Sequence, residues 1–455
     1  MTRRVVFVAF FNILTLSAEP LSLRRAAELT LEHNQQIAAE QHAVASAEQI
    51  AKSKVGLFLP KIELNSTFLH TQHATNITLD PLKSLLQIVD IPQLSNLDLN
   101  YNLLDRNLCL LGGYAIQPIF TGGKIIAANR AARLTLATTK STATATRLAT
   151  LTTLVERYFA TVLSHAAVAV RQKVVAALEQ HRNDVKTLID NGLATTTDIL
   201  YTEYRLAAAT SELRREQLLL RTAERALATT IGIDSLTTAT TPLFVVHHLE
   251  RIEQLTETAL KNNPELEYAR NLRALANVGV AASRADFFPT IAAVAGGGFT
   301  HGVTDILPRW AVGISLSFKI FDGLQREHNH LAARSSLRRA EQLELWAESN
   351  IVLKTESLYN TTQSHLMQTL ALENSITFAR ELLNSRRVAF AEGMATTAEL
   401  LDAVAMVAAA EIEQLKSAYN FDVSLIQLLE CMGISEIFFD YSESDYRQII
   451  EYETH

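Results

Sequence analysis

Two acidic side chains near the C-terminal end are the strongest candidates for a functional cluster. Glu399 and Asp402 are three residues apart at the start of a predicted helix, so both lie on one face of it. Thr396 and Glu399 have the spacing of a capping box, which accounts for Glu399 but accounts less well for Asp402. Carboxylates this close together repel one another, and the repulsion raises their affinity for protons and cations.

No other group of residues has the types and spacing of a catalytic or metal site. His328 and His330 lack Cys or carboxylates at ligand spacing, as do His247 and His248, so solvated or packed histidines are the better interpretation. Residues 121–124 lack the spacing and the terminal Ser or Thr of a phosphate-binding loop, and predict a strand-to-helix turn. Without a nucleophile–base arrangement, the sequence predicts no enzyme and no cofactor.

The acidic pair belongs to a segment that occurs twice. Residues 390–402 match residues 189–200 at an offset of 201 residues, and the same offset relates 120–122 to 321–323. Landmarks that recur at one spacing indicate an internal duplication. In each copy a glycine interrupts a helical pattern, and a Thr-x-x-acid capping box then starts a new helix. Each copy therefore predicts a turn between two helices, with Asp198 in the first copy at the position of Glu399.

Residues 1–18 have the pattern of a secretory signal peptide. Arg3 and Arg4 precede an apolar run, and Leu16-Ser-Ala18 is an acceptable cleavage site. The alternative is a buried N-terminal helix. No Cys follows the site, and no other stretch reaches the roughly 18 apolar residues of a membrane-spanning helix. We therefore expect an exported protein without a lipid anchor or a helical membrane anchor.

The composition favours long helices. The 455 residues include only 16 Gly and 9 Pro, while Ala, Leu and Thr are abundant. A net charge of -7 without a basic stripe predicts no nucleic-acid partner. Cys109 and Cys431 are far apart in the predicted arrangement, so we expect two free thiols and no disulfide.

Each copy also predicts a pair of strands. Pro60 and Pro289 stop the preceding helices, and the hydrophobic period then changes to two. The predicted pairs are about 62–70 with 111–119 and about 291–299 with 310–318. The segment 71–110 of the first copy contains an insertion, and the sequence assigns it no structure.

The longest elements follow the strands. Residues 124–191 and 324–392 contain neither Pro nor Gly, and their apolar spacing suits coiled-coil seams. Helices over about 198–230 and 399–431 run back after the glycine turns. The domain organisation is then a first repeat over 19–233, a linker over 234–249, a second repeat over 250–434 and a tail over 435–455.

The order of elements, the repeat and both turn motifs resemble the TolC-like outer-membrane efflux protein (OEP) family, across residues 22–434. The resemblance rests mainly on residues 393–403 and 192–200. It implies a mainly α fold with a small β part. Three copies would form a homotrimer, whose α-helical barrel is continuous with a 12-stranded outer-membrane β-barrel, four strands per chain. Four strands cannot close alone, which agrees with pooling of strands between chains.

The resemblance also implies a function and partners. The protein would be the exit duct of a tripartite efflux or type I secretion system in the outer membrane of a Gram-negative bacterium, extending into the periplasm. A periplasmic adaptor protein would dock at the turns, and an inner-membrane pump or ABC transporter would supply substrates. The implied docking residues are Gly192, Leu193, Thr195, Gly393, Met394 and Thr396.

The same resemblance places Glu399, Asp402 and Asp198 at a pore constriction. In some family members a basic residue at this position of the second turn forms a tie to the acid of the first turn. This sequence departs from them, because the position is Ala395. Asp198 therefore lacks that partner here. The alternative function is a secreted or periplasmic coiled-coil scaffold or adhesin without a pore, which would not need the alternating strands.

Overall fold

The computed structural model describes residues 20–78, 100–233, 238–303 and 308–450. The predicted signal peptide, residues 1–18, lies outside these residues. The described chain divides into two compact units. The helical unit comprises residues 20–44, 139–269 and 343–450, and the sheet unit comprises residues 45–138 and 270–342.

Long helices make up most of the described chain. The helices are α1 (Leu23–His33), α2 (Gln35–Val55), α3 (Lys124–Asp190), α4 (Thr196–Ile231), α5 (Ile252–Asn262), α6 (Pro264–Ala285), α7 (Gln325–Ala391), α8 (Thr397–Cys431) and α9 (Ile437–Glu443). Helices α3 and α7 each have 67 residues, as expected for segments without Pro or Gly. Within the described ranges, no helix is both long and apolar enough to cross a membrane.

The strands form two separate sheets. They are β1 (Lys61–His70), β2 (Thr75–Thr78), β3 (Asn100–Phe120), β4 (Phe244–Val246), β5 (Thr290–Val303), β6 (Trp310–Ser317) and β7 (Arg447–Ile449). The larger sheet is antiparallel in the order β1-β3-β5-β6, with β2 also on β3, and β4 pairs with β7. Strand β3 reaches back to Asn100 because its first part pairs with β2, so part of the unassigned 71–110 segment is strand.

The larger sheet has two chemically different faces. Side chains alternate across a strand, so the pairing register defines which residues share a face. One face, the apolar face, carries exposed Ile62, Leu64, Phe68, Phe299, Trp310, Val312, Ile314 and Leu316. The opposite face, the polar face, carries Lys61, Glu63, Asn65, Thr67, Tyr114, Ser315 and Ser317. Such a sheet fits between an apolar and a polar environment.

Glycines allow β3 and β5 to approach closely near the middle of this sheet. Gly112 pairs with Gly298, and Gly113 pairs with Gly297. A Cβ atom on Gly298 would lie 2.4 Å from the carbonyl oxygen of Leu111. A larger residue at Gly298 would therefore force the two strands apart.

The core of the helical unit is built around buried aromatic residues. Tyr158 and Phe159 of α3 are fully buried, and Phe159 packs against Phe244 and Phe438 at ring-centroid distances of 6.0 and 6.1 Å. The Tyr158 hydroxyl donates to the Leu21 carbonyl oxygen at 2.7 Å, so this buried polar group is satisfied. Because α9 carries Phe438 and β7 pairs with β4, the C-terminal tail is part of this core.

Both cysteines are free. Cys109 is half-buried on β3 in the sheet unit, and Cys431 is buried at the end of α8 in the helical unit. Cys431 lies 3.5 Å from the Thr355 hydroxyl. Burial raises the pKa of the Cys431 thiol, which favours its unreactive protonated form.

One carboxyl group is enclosed in the apolar core. Asp422 of α8 is 0% exposed, and the Phe244 N–H donates to its Oδ2 atom at 3.4 Å. Its Oδ1 atom has no hydrogen-bond partner among the described residues. Burial raises the pKa of Asp422 well above its usual range, and the Phe244 N–H offsets this only in part.

We predict that Asp422→Asn flattens the dependence of stability on pH. An unfolded Asp titrates at about pH 3.9. The stability that the raised pKa of Asp422 contributes is therefore fully present below that pH, and it is lost as the pH rises through the folded pKa. In that window the free energy of unfolding should fall by up to about 1.4 kcal/mol per pH unit in the wild type relative to Asp422→Asn.

Denaturant midpoints of the purified protein at pH 5 and pH 7 measure this difference. Substitution of the exposed Asp445 by Asn is the matched control and should preserve the wild-type pH dependence. Equal pH dependence in wild type and Asp422→Asn would contradict the prediction.

Candidate functional site

Two turns of similar geometry connect the long helices. The first tip, residues 192–195, joins α3 to α4, and the second tip, residues 393–396, joins α7 to α8. Gly192 and Gly393 have φ angles of 74° and 73°, a left-handed conformation that glycine adopts without strain. The next N–H groups, of Leu193 and Met394, each donate to a helix carbonyl oxygen at 2.8 Å.

Both predicted capping boxes are present. The Thr195 N–H donates to Asp198 at 2.9 Å, and the Asp198 N–H donates to the Thr195 hydroxyl at 3.3 Å. The Thr396 and Glu399 pair has the same two bonds, at 2.9 and 3.3 Å. Hydrogen bonds from Thr195 lower the pKa of Asp198, and those from Thr396 lower the pKa of Glu399. Both carboxylates therefore stay charged at neutral pH.

Apolar side chains project from both tips. Leu193 is 75% exposed and Met394 is 71% exposed. These are equivalent positions of the two repeats, directly after the tip glycines. Large apolar side chains at such a turn offer a surface for another protein.

Asp402 has a basic partner from the other repeat. The Arg205 guanidinium of α4 contacts the Asp402 carboxylate of α8 at 3.0 Å. Arg205 also donates to the Tyr201 hydroxyl at 3.1 Å, and its side chain is only 26% exposed. The pair therefore joins α4 to α8 just beyond the two tips.

Glu399 also has a basic neighbour, whereas Asp198 forms no ion pair with a Lys or Arg of the described residues. The Arg386 guanidinium lies 3.5 Å from Glu399 within the α7–α8 pair. The hydrogen-bond partner of Asp198 is Thr195, and Ala395 contributes no cation at the second tip. These three acids and two arginines are therefore placed by different helices.

Two of the histidines form hydrogen bonds to neighbouring side chains, and the glycines at residues 122 and 123 form a turn. His330 Nδ1 lies 2.9 Å from the Ser283 hydroxyl, and His247 Nε2 lies 2.7 Å from the Gln448 side-chain oxygen. The described residues contain no cluster of three metal-ligating side chains. Residues 121–124 form the turn from β3 into α3, as the sequence predicts.

The second repeat matches a protein family model. The family model for outer membrane efflux proteins matches residues 255–434, a stretch that contains the second tip. The matched stretch, about two fifths of the chain, is therefore similar to the outer membrane efflux protein family. Comparison with curated protein sequences gives no significant match.

Solved structures share the fold of this chain over most of its length. A membrane protein from Pseudomonas aeruginosa aligns with a TM-score of 0.76 at 16% identity, over 90% of each chain. The outer membrane protein VceC from Vibrio cholerae aligns with a TM-score of 0.73 at 16% identity, over 90% of this chain and 96% of VceC. The Campylobacter jejuni CmeC outer membrane channel aligns with a TM-score of 0.75 at 14% identity, over 93% of this chain and 89% of CmeC.

Sequence reasoning did not identify Arg205 or Arg386 as neighbours of the acids. Arg205 and Asp402 lie 197 positions apart, four short of the repeat offset. Four residues are about one helical turn, so the pair joins neighbouring turns of equivalent helices. A search for oppositely charged residues separated by the repeat offset of 201 plus or minus four positions would have found Arg205.

We predict that Arg205→Ala loosens the start of both α4 and α8. Arg205 joins the two repeats, so its removal should increase hydrogen–deuterium exchange in residues 196–205 and 397–404. Exchange measured by mass spectrometry on the purified protein tests this. Arg215→Ala is the matched control, because the ion pairs of Arg215 within the described residues are with Glu212 and Glu216 of its own helix. Equal effects of the two substitutions would refute the prediction.

Proposed function

We propose that this protein is an outer-membrane channel, the exit duct of a tripartite efflux or type I secretion system of a Gram-negative bacterium. The family match over residues 255–434, the fold shared with outer-membrane channels and the two-faced sheet support the proposal. In it, three copies assemble, their sheets line a pore in the outer membrane, and the helices extend into the periplasm. The division into repeats at 19–233 and 250–434 is part of the same proposal.

The sheet edges support assembly of several copies. Strands β1 and β6 lie at the two ends of the strand order, and no described strand pairs with their outer edges. Open edges are not tolerated in lipid, because every backbone N–H and C=O group there needs a protein partner. Pairing β6 of one copy with β1 of the next satisfies both edges. Three copies give 12 strands, the number that the family resemblance implies.

The apolar face supports contact with lipid. Trp310, Phe299 and Phe68 lie towards one end of this face, and Phe318 follows β6 at the other end. Phe318 lies eight positions after Trp310, and at about 3.3 Å per residue the two are roughly 26 Å apart along the strand. Aromatic residues flank an apolar band about 25 Å tall in outer-membrane barrels. A coiled-coil scaffold would gain nothing from such a surface.

The polar face supports a water-filled interior. Glu63 accepts hydrogen bonds from Lys61 at 2.6 Å and from the Tyr114 hydroxyl, so its charge is compensated on the sheet surface. The neighbouring positions on β5 and β6 are small residues, among them Gly296 and Ala311. Small and polar side chains leave room for a lumen.

The tips support docking of a periplasmic adaptor, which would couple the duct to an inner-membrane pump or ABC transporter. Leu193 and Met394 provide the exposed apolar contacts, and both tips have rigid geometry from their capping boxes. The proposed docking residues remain Gly192, Leu193, Thr195, Gly393, Met394 and Thr396. Because the two tips are alike, each copy would offer two similar docking sites.

We also propose that Glu399, Asp402 and Asp198 line the periplasmic constriction. Arg205 and Arg386 compensate part of the charge of Asp402 and Glu399, so the constriction is less acidic than three carboxylates per copy imply. The Arg205–Asp402 contact also links the two repeats at a place where Ala395 provides no basic residue.

We predict that Ile314→Arg prevents insertion, whereas Ser315→Arg does not. Ile314 lies on the apolar face and Ser315 lies on the polar face of the same strand. An arginine facing lipid at mid-bilayer costs about 2–4 kcal/mol per copy, while an arginine facing water in the lumen avoids that cost. Outer-membrane fractionation measures the inserted protein. Equal insertion of the two variants would overturn the proposed orientation of the sheet.

We predict opposite changes in ion selectivity for the two members of the tip pair. Arg205→Gln leaves Asp402 uncompensated and should raise cation selectivity, whereas Asp402→Asn leaves Arg205 uncompensated and should lower it. Planar-bilayer reversal potentials measure both. The differences should shrink in about 1 M salt, where the Debye length is about 3 Å. Unchanged selectivity in both variants would place these residues outside the constriction.

A further inference from the structure

An apolar groove lies in the sheet unit, where the end of β3 meets the start of α3. Its volume of about 460 Å³ is within the range of about 300–1,000 Å³ for small-molecule sites. Exposed apolar side chains line it, among them Ile119, Ile126 and Phe288, which are 60%, 59% and 53% exposed. Phe120 packs edge-on against Phe288 at a ring-centroid distance of 6.5 Å, and Phe58 also lines the groove. Water solvates such a surface unfavourably.

The groove continues the apolar face of the larger sheet. Phe120 pairs with Ile291, and Ile291 pairs with Leu316 of the apolar face. The Gln117 side chain donates to the Phe58 carbonyl oxygen at 2.9 Å, which holds the segment after α2 against the end of β3. The groove therefore begins where the apolar face ends, at the end of the sheet from which the long helices leave.

Two basic side chains lie next to the groove. Arg130 is four residues after Ile126, so both are on one face of α3, about 6 Å apart along its axis. The Asn129 side chain donates to the Lys54 carbonyl oxygen at 2.9 Å, so the end of α2 that carries Lys54 lies at the same level. Arg130 and Lys54 are exposed, and neither forms an ion pair with a residue that the structure describes. Positive charge therefore follows the apolar surface in the direction of the helices.

The second repeat does not have this combination of side chains. At the offset of 201, Ile126 corresponds to Glu327 and Arg130 corresponds to Leu331. An acid thus replaces the apolar side chain, and an apolar side chain replaces the base. The combination belongs to the first repeat, and the second repeat provides residues for matched substitutions.

We propose that the groove binds one anionic phospholipid of the periplasmic leaflet of the outer membrane. One acyl chain lies in the groove, and the headgroup phosphate lies between Arg130 and Lys54. The inference deepens the proposed function, since it rests on insertion of the sheet in the outer membrane with the helices in the periplasm.

Distance and charge both fit a phospholipid. The headgroup region is about 5–7 Å thick on each side of the hydrocarbon core, and Arg130 lies about 6 Å beyond Ile126. An arginine can cover apolar surface with its stem while its guanidinium binds a phosphate. The acid nearest in sequence to Phe288 is Asp286, and Lys124 forms an ion pair with it. That ion pair reduces the repulsion between Asp286 and an anionic headgroup.

Native mass spectrometry of the purified protein in detergent with added phosphatidylglycerol measures the bound lipid. Ile126→Glu and Arg130→Leu place the residues of the second repeat in the first. Both positions are exposed, so neither substitution removes a core side chain. Arg334→Ala is the matched control, because Arg334 is an exposed arginine of the equivalent helix α7, about one turn after Leu331.

We expect about ten-fold less bound phosphatidylglycerol in each first-repeat variant and wild-type binding in Arg334→Ala. Unchanged binding in either first-repeat variant overturns the proposed site. Equal binding of diacylglycerol, which lacks the phosphate, overturns the role of the basic residues. Displacement of phosphatidylglycerol by glycerol phosphate, which lacks acyl chains, would show a site for soluble anions instead of a lipid site.

A photo-cross-linker placed at Ile119 identifies the occupant in isolated outer membranes. Cross-links to phospholipid support the proposal, whereas cross-links to a protein assign the groove to a protein partner and overturn it. Fractionation separates this inference from the proposed function. Wild-type protein that reaches the outer membrane but binds no phosphatidylglycerol overturns the lipid site alone, whereas wild-type protein absent from that fraction refutes the proposed function.

Discussion

Backbone hydrogen bonding at the edges of the larger sheet is the constraint on which the proposed assembly depends. Inside a bilayer each N–H and C=O group must find a protein partner, and four paired strands leave the outer edges of β1 and β6 without a described strand. The chain cannot satisfy these groups alone. Its alternating side chains nevertheless provide a face for lipid and a face for water. In the proposed assembly, copies that pair edge to edge close the sheet into a barrel.

The internal repeat extends the same logic to the helices. Helices α3 and α7 have equal lengths, yet Val170 of α3 is buried against α8 while Trp346 and Leu353 of α7 are exposed. Apolar seams need neighbours, because burial of their surface drives packing. In the proposed assembly, a duplicated chain has one such neighbour internally and receives a second from the next copy. The difference in burial between equivalent residues agrees with that arrangement.

The tips combine local and distant interactions. Glycine conformation and the two capping boxes are local, and each is repeated with nearly the same geometry. The arginine contacts are not repeated, since Arg205 reaches across to Asp402 while Arg386 stays within its own helix pair. Two turns of equal shape thus differ in electrostatics. In the proposed channel this difference makes the second repeat the more strongly compensated part of the constriction.

The sequence by itself determined the features that depend on neighbouring residues. Period-two strands, uninterrupted helices, glycine turns and Thr-x-x-acid caps follow from local conformation, and the offset of 201 follows from comparison of the chain with itself. Only the tertiary structure decided that Arg205 meets Asp402, that β3 extends to Asn100, and that Asp422 is enclosed beside Phe244. These contacts join residues distant in sequence, and packing of whole helices and strands, rather than local preference, brings them together.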